Sequence, residues 1–222
     1  MGPTVVLATR SEGKLHELRP MFEAAGFAAC TLEDAGIAPE PNEDAIEVFG
    51  TFEANALAKA HYFFRRAGGR AVVADDSGLV VDALGGAPGV RSKRWSGRDD
   101  LQGEALDAAN NASLMDALRG CEDRTARYVC VAAWFDGQAE HVVRGEIVGR
   151  VLEAPRGTGG FGYDAYFWCD ELVATFAEVP REAKAAVSHR GRAFQRLLQE
   201  RSRDVDIPGG ETTFPFPSRG VA

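Results

Sequence analysis

Two long strand-like stretches, Ala126 to Phe135 and Ala139 to Leu152, flank only Asp136-Gly137-Gln138. Strands of that length joined by so short a turn form an antiparallel hairpin, so the middle of the chain is committed to a sheet. The start of the chain adds helices to it. Residues 4 to 8 are apolar, Thr9 to Gly13 are polar, and Leu15, Leu18, Met21 and Phe22 then recur at helical spacing, which predicts strand, turn and helix. Pro20 inside that pattern predicts a kink or a short helix. A short strand is expected at Ala28 to Leu32, and the acidic, Pro-containing stretch from Glu33 to Gly50 reads as a mobile loop able to act as a lid.

Thr51 is placed to cap a helix running to Ala67, with Phe52, Ala56, Ala60 and Phe63 on one face and Asn55 and Lys59 beside them. Ala71 to Ala74 reads as a buried strand that presents Asp75-Asp76-Ser77-Gly78 at its C-terminal end, where open α/β sheets bind ligands. A second strand, Leu79 to Asp82, then enters a Gly/Pro-rich turn at Gly85 to Gly89. A helix is predicted from Leu101 to Leu118, a glycine-rich loop from Gly157 to Gly162, and an amphipathic helix from Glu182 to Arg201. The expectation is an α/β chain with one domain over residues 1–203. Residues 204–222 carry Pro208, Pro215 and Pro217 without periodicity and are expected to form a flexible tail.

Charge limits the partners. With 33 acidic against 25 basic residues the net charge is −8, which disfavours binding to nucleic acid polymers but leaves a small anionic ligand open where basic residues gather. Cys30, Cys121, Cys130 and Cys169 are scattered without zinc-ligand spacing, and are expected to be free thiols. The apolar run at residues 4–8 is too short for a signal segment, and nothing approaches the roughly eighteen apolar residues of a membrane span. A cytoplasmic protein with no membrane partner is expected. Arginine is the default cation, and the four lysines, Lys14, Lys59, Lys93 and Lys184, stand out against it.

Gly157-Thr158-Gly159-Gly160-Phe161-Gly162 matches G-x-G-x-x-G, but an aromatic, strand-like run follows where a dinucleotide fingerprint needs a helix. Close approach to a flat ligand, stacked on Phe161 or Tyr163, is the better functional reading. Asp75-Asp76 offers hard oxygen ligands for Mg²⁺. Lys184 with Ser188-His189-Arg190 is a dense set of donors, suited to a carbonyl or phosphate oxygen. The turn of Thr9, Arg10, Ser11, Glu12, Gly13 and Lys14, leading into a helix N-terminus, suits phosphate.

In this order the blocks resemble the inosine triphosphate pyrophosphatase family, which hydrolyses deaminated purine nucleoside triphosphates to monophosphate and pyrophosphate. The resemblance runs from Val5 to about Leu198. It implies a two-lobed α/β fold, with a long mixed sheet, a ligand cleft between the lobes, Mg²⁺ as cofactor and a homodimer. It further implies that the Thr9 to Lys14 turn and Ser77 bind the triphosphate, that Asp76 binds Mg²⁺ and accepts a proton, and that Lys59 and Lys93 neutralise phosphate. Phe161, Gly162, Tyr163, Asp164, Lys184, Ser188, His189 and Arg190 would form the base and sugar pocket.

The chain departs from the family pattern at three places. Thr9-Arg10-Ser11 stands where T-G-N is common, Ala165 replaces a frequent Pro, and Ala54 occupies the place of a Glu before Asn55. Glu53, one position earlier, is the expected second metal ligand, although one helical step turns a side chain by about 100°. A pyrophosphatase for modified pyrimidine nucleotides and a nucleotide-binding sensor without turnover remain alternatives.

Overall fold

Seven strands make one mixed sheet in the order β2-β1-β3-β4-β5-β6-β7: β1 (Thr4–Leu7), β2 (Ala28–Thr31), β3 (Ala71–Val81), β4 (Thr125–Phe135), β5 (Glu140–Val151), β6 (Phe167–Cys169) and β7 (Ala174–Thr175). The computed structural model describes residues 2–41 and 43–204. β1 runs parallel to both β2 and β3, and every pairing from β3 onward is antiparallel. Val5, Val6 and Leu7 have no exposed surface, so β1 is apolar without alternation, as a strand covered on both faces must be. Around the predicted hairpin, Asp136 Oδ1 accepts the Gln138 and Ala139 amides, and Gly137 takes the left-handed conformation (φ 91°) that such a tight turn requires.

Helices α1 (Glu12–Ala24) and α5 (His189–Asp204) cover one face of the sheet, and α2 (Phe52–Arg66) covers the other. Phe22 meets Phe27 and Phe194 edge-on at 6.0 and 5.8 Å in the first core. A third core, at the far end of β3 and β4, gathers Leu79, Val81, Tyr128, Phe167 and Phe176 beneath α3 (Gly103–Ala117). Alternation along β3 puts Val73, Asp75, Ser77 and Leu79 on one face and Ala74, Asp76 and Val80 on the other. On the α1/α5 face the apolar cores therefore give way to a polar seam at Asp75 and Ser77.

Two expectations are corrected, the turn at Asp75 and the single final helix. Asp75-Asp76-Ser77-Gly78 is not a turn between two strands: it lies inside one eleven-residue strand, paired residue by residue with Ala132, Val131, Cys130 and Val129 of β4. That pairing supplies the backbone bonds a polar quartet lacks on its own. Helix α1 passes through Pro20, which costs it one backbone donor without ending it. The final helix is two, α4 (Arg181–Val187) and α5, broken where Ser188 turns extended (ψ 155°) and its Oγ accepts the Gly191 amide at 3.0 Å as a cap. The 33–50 segment is fastened by ion pairs and holds a short 3₁₀ turn, Glu43–Ile46. Apart from Asp204 at the end of α5, the expected tail lies outside the described residues.

Beyond its three-residue pairing with β6, β5 has no strand beside its outer edge among the described residues. Arg192 and Arg196 of α5 reach that stretch, donating to the carbonyls of Glu146 and Arg144 at 2.9 and 3.2 Å. Helix α5 approaches so closely because residue 145 is glycine: a Cβ there would collide with the His189 carbonyl and the Ala193 amide.

Candidate active site

β1 flanks β3 only as far as Val73, and the chain turns away after Ala8. Asp75 and Asp76 therefore sit where β3 has lost its neighbour, one on each face of the sheet beside this gap. The turn from Thr9 to Ser11 borders it: Thr9 Oγ1 accepts the Ser11 amide, and Ser11 Oγ caps α1 by accepting the Lys14 amide. The N-terminus of α1, where the helix dipole favours an anion, thus opens onto the gap.

Asp75 is a hub of positive charge. Its Oδ2 takes Lys14 Nζ at 2.8 Å and Ser77 Oγ at 3.3 Å, with Arg190 Nε 3.5 Å away. Burial disfavours its charge, but Lys14, Arg190 and Lys59 outweigh burial and hold the carboxyl well below the usual range. Asp76, on the opposite face, behaves inversely. Burial, then repulsion from Glu47, push it up to about 6, against the Asn55 Nδ2 bond at 2.9 Å. Two adjacent carboxylates are thereby separated, one firmly ionised and one titrating near neutrality.

Glu47 lies in the 33–50 segment, where Lys59 Nζ binds its Oε1 at 2.7 Å and also the Asp75 carbonyl at 3.2 Å. Burial opposes ionisation of Glu47, but Lys59 and Lys14 keep it below its ordinary value. Asp76 and Glu47 together are two hard oxygen donors whose charges repel, a set that a small divalent cation fits. No group of three His, Cys, Asp or Glu able to hold a metal occurs among the described residues. Glu53 is directed elsewhere, bound to Arg144 at 2.9 Å and half exposed. Its helical position, one step from the expected place, sends it over the uncovered face of β5 instead.

Across the gap, Phe161 lies on Gly13, where a Cβ would come within 2.8 Å of its ring. The glycine-rich loop and the α1 turn are thus in direct contact. Lys184 Nζ sits 4.8 Å from the Phe161 ring centre and binds Asp164 at 2.6 Å and Glu17 at 3.2 Å. Arg190 binds Glu17 at 2.5 Å and donates to Ser77 Oγ at 3.0 Å. Arg190 therefore joins the seam at Asp75 to the Lys184 cluster and does not belong to one end alone. Asp75 Oδ1, Arg190 Nε and His189 Nδ1 are buried there without a hydrogen-bond partner, and such atoms fit a site meant for a polar ligand.

Several predicted residues play other parts. Tyr163 is buried, its hydroxyl donating to the Ser92 carbonyl at 2.8 Å, so Phe161 alone offers an accessible ring. His189 is enclosed and stacks on Tyr128 at 4.6 Å; burial, then Arg190 and Lys184, hold it well below its usual pKa and so neutral. Arg10 turns from the gap to Glu43. Lys93 is exposed on the 3₁₀ turn Gly89–Arg94, whose Arg94 binds the Glu47 carbonyl at 2.8 Å.

A family model described as the Ham1 family matches residues 5–200. The chain belongs to the Ham1 family. Its Ham1 relatives include the dITP/XTP pyrophosphatase of Geobacter sulfurreducens, 47% identical over 196 residues, 87% of this chain and 94% of that one. A dITP/XTP pyrophosphatase of Thermus thermophilus is 45% identical over 202 residues, 89% and 91% of the two chains. The Staphylococcus aureus Ham1 structure superposes with a TM-score of 0.77 at 30% identity, covering 91% of this chain and all of that one. The resemblance to the inosine triphosphate pyrophosphatases, and the α/β fold it implied, thus hold.

In this Ham1 chain the sequence reading missed Glu17, Glu47, Asn55 as a partner of Asp76, and Asp107. Asp107, with Asn111, grips the backbone of Gly162 at 2.7 and 2.9 Å and so fixes the loop that carries Phe161. Glu17 was legible in principle, since it lies one helical turn from Lys14 on a face that includes buried Leu18. Glu47 had no periodic signal, because it sits in an irregular segment.

Proposed function

We propose that this chain hydrolyses deaminated purine nucleoside triphosphates, the ITP, dITP and XTP class, to monophosphate and pyrophosphate, with Mg²⁺. The observation that carries the reading is Asp76, raised to about 6 beside Glu47 and facing a gap that Lys14 and Lys59 make cationic. A carboxylate titrating near neutrality is matched to accepting a proton, and a cationic gap at a helix N-terminus is matched to a triphosphate. The relatives named for dITP and XTP supply the base class.

In this reading the triphosphate lies at the N-terminus of α1 with Lys14 and Lys59 against its oxygens, and Asp76 and Glu47 hold the ion. Mg²⁺, when bound, neutralises phosphate charge and orients the chain of phosphates. Asp76, as the carboxylate, accepts the proton of the water that attacks the α-phosphorus, and pyrophosphate leaves. Phe161 stacks on the purine, while Lys184 and Arg190, turned to it by Glu17 and Asp164, present donors that match a 6-oxo group and meet adenine's amino group as unpaired donors. Residues 1–203 act as one catalytic unit. No helix is long and apolar enough to cross a membrane among the described residues; a cytoplasmic homodimer that binds neither nucleic acid nor membrane remains part of this proposal.

Pyrophosphate release measured over a panel of ITP, dITP, XTP, ATP, GTP and modified pyrimidine triphosphates with Mg²⁺ tests it. Preference for the 6-oxo, non-guanine purines supports the reading. Preference for pyrimidines, or binding without turnover, replaces it with one of the alternatives.

A further inference from the structure

Lys59, Tyr62 and Arg66 recur along α2 at i, i+3 and i+7, which puts them on one face. Each receives a carboxylate from the 33–50 segment: Glu47 meets Lys59 at 2.7 Å, Glu40 accepts the Tyr62 hydroxyl at 2.6 Å, and Glu43 meets Arg66 at 3.0 Å. Glu43 is also reached from the opposite side. Arg10 forks onto both its oxygens at 3.1 and 2.8 Å and extends its remaining nitrogen to the Ile37 carbonyl at 2.9 Å. One carboxylate therefore joins the turn that leads into α1, the helix that carries Asn55 and Lys59, and the segment that carries Glu47.

A partly exposed ion pair adds little to stability. What a planar fork adds is geometry, because two parallel bonds fix the orientation of the carboxylate as well as its distance. Glu43 opens the 3₁₀ turn Glu43–Ile46, and Glu47 follows that turn at once. Fixing Glu43 thus leaves Glu47 little freedom.

We propose that Glu43, gripped between Arg10 and Arg66, is a positioning residue that fixes Glu47 opposite Asp76 and so sets the affinity of the site for its divalent cation. The inference rests on the reading that Asp76 and Glu47 hold that cation. It gives Arg10 a role distinct from phosphate binding.

The test uses Mn²⁺ alone, its binding to the full chain followed by the loss of its free electron-paramagnetic-resonance signal. The variants are Arg10→Gln, Glu43→Gln, their combination, and Asp76→Asn as the reference. Arg10→Gln and Glu43→Gln should each weaken Mn²⁺ binding about tenfold, within the range for residues that orient a metal ligand. The double variant should be no weaker than the worse single, because both break one contact. The Mg²⁺ concentration for half-maximal pyrophosphate release should rise in step. Should Asp76→Asn abolish Mn²⁺ binding while both clamp variants stay within about twofold of the parent, the inference is overturned and the cation reading stands. Mn²⁺ binding indifferent to Asp76→Asn overturns both. If Glu43→Gln does not fold, Arg10→Gln, which alters a side chain about one-third exposed and leaves Arg66 on Glu43, carries the same test. A lowered melting temperature with unchanged Mn²⁺ affinity would mean that the clamp is structural only.

Discussion

Asp76→Asn should stabilise the fold while it removes the activity. Burial and Glu47 raise the Asp76 carboxyl from its ordinary 3.8 to about 6. A gap of about two pH units corresponds to about 3 kcal/mol, the cost of keeping this charge in the folded state at neutral pH without a cation. The folded chain binds the proton more readily than the unfolded one, so the parent protein is not penalised below about pH 4 and loses stability as pH rises through 6. Asparagine is nearly the same size, and its Oδ1 can still accept the Asn55 amide. In EDTA, therefore, the variant should match its parent near pH 4 and exceed it increasingly up to about pH 7. Above that the difference should level near 3 kcal/mol, or about 6 to 12 °C in melting temperature for a chain of this size. Calorimetry of both proteins from about pH 4 to 8 measures the difference directly, and groups that titrate in both cancel. Pyrophosphate release should fall by about two or more orders of magnitude. A stability difference that is flat with pH, or that favours the parent at neutral pH, would refute the account of Asp76.

Glu47→Gln should raise the Mg²⁺ needed for half-maximal activity by about tenfold or more, whereas Glu53→Gln, whose parent side chain is bound to Arg144, should leave it unchanged; a Mg²⁺ titration of both decides. Arg190→Ala removes both the link between Glu17 and Ser77 and a donor offered to the base, so it should lower kcat/KM for ITP and ATP and lower it more for ITP; the ratio of the two rates is the measurement. Glu17→Gln leaves Lys184 and Arg190 short of a shared counter-charge in a buried site and should cost about 3 kcal/mol or more, read by urea unfolding. Gly145→Ala forces a Cβ into the backbone of α5 and should cost about 1 to 3 kcal/mol by the same assay.

What could be read in advance followed from periodicity. The hairpin of β4 and β5, the Thr51 cap of α2 and the strand-turn-helix at the start all obey local rules, and all are present within a residue or two. The failures occurred where a long-range partner overrides a local signal. Asp75 to Gly78 looks like a turn until β4 is laid beside it, and Gly78 is needed because a Cβ would strike the Gly89 carbonyl, a contact no spacing reveals. Three of the four lysines were a guide to where charges gather, Lys14, Lys59 and Lys184 pairing with Asp75, Glu47 and Asp164. Their carboxylate partners were not, because Glu17 and Glu47 look like ordinary surface acids until the fold brings cations to them.

The arginines that close the edge of β5 also bear on the time before the chain is complete. An open strand edge is a template for another chain, and here its carbonyls at Arg144 and Glu146 are taken by side chains from α5, about fifty residues later. While synthesis proceeds from the N-terminus, the hairpin leaves the ribosome before its own cover does. During that interval the chain exposes both the bare edge and the apolar surface that Ala193, Phe194 and Leu197 will bury. The arrival of a single helix shields both, so the period of vulnerability to self-association ends in one event, and slow or interrupted synthesis ahead of Arg192 prolongs it.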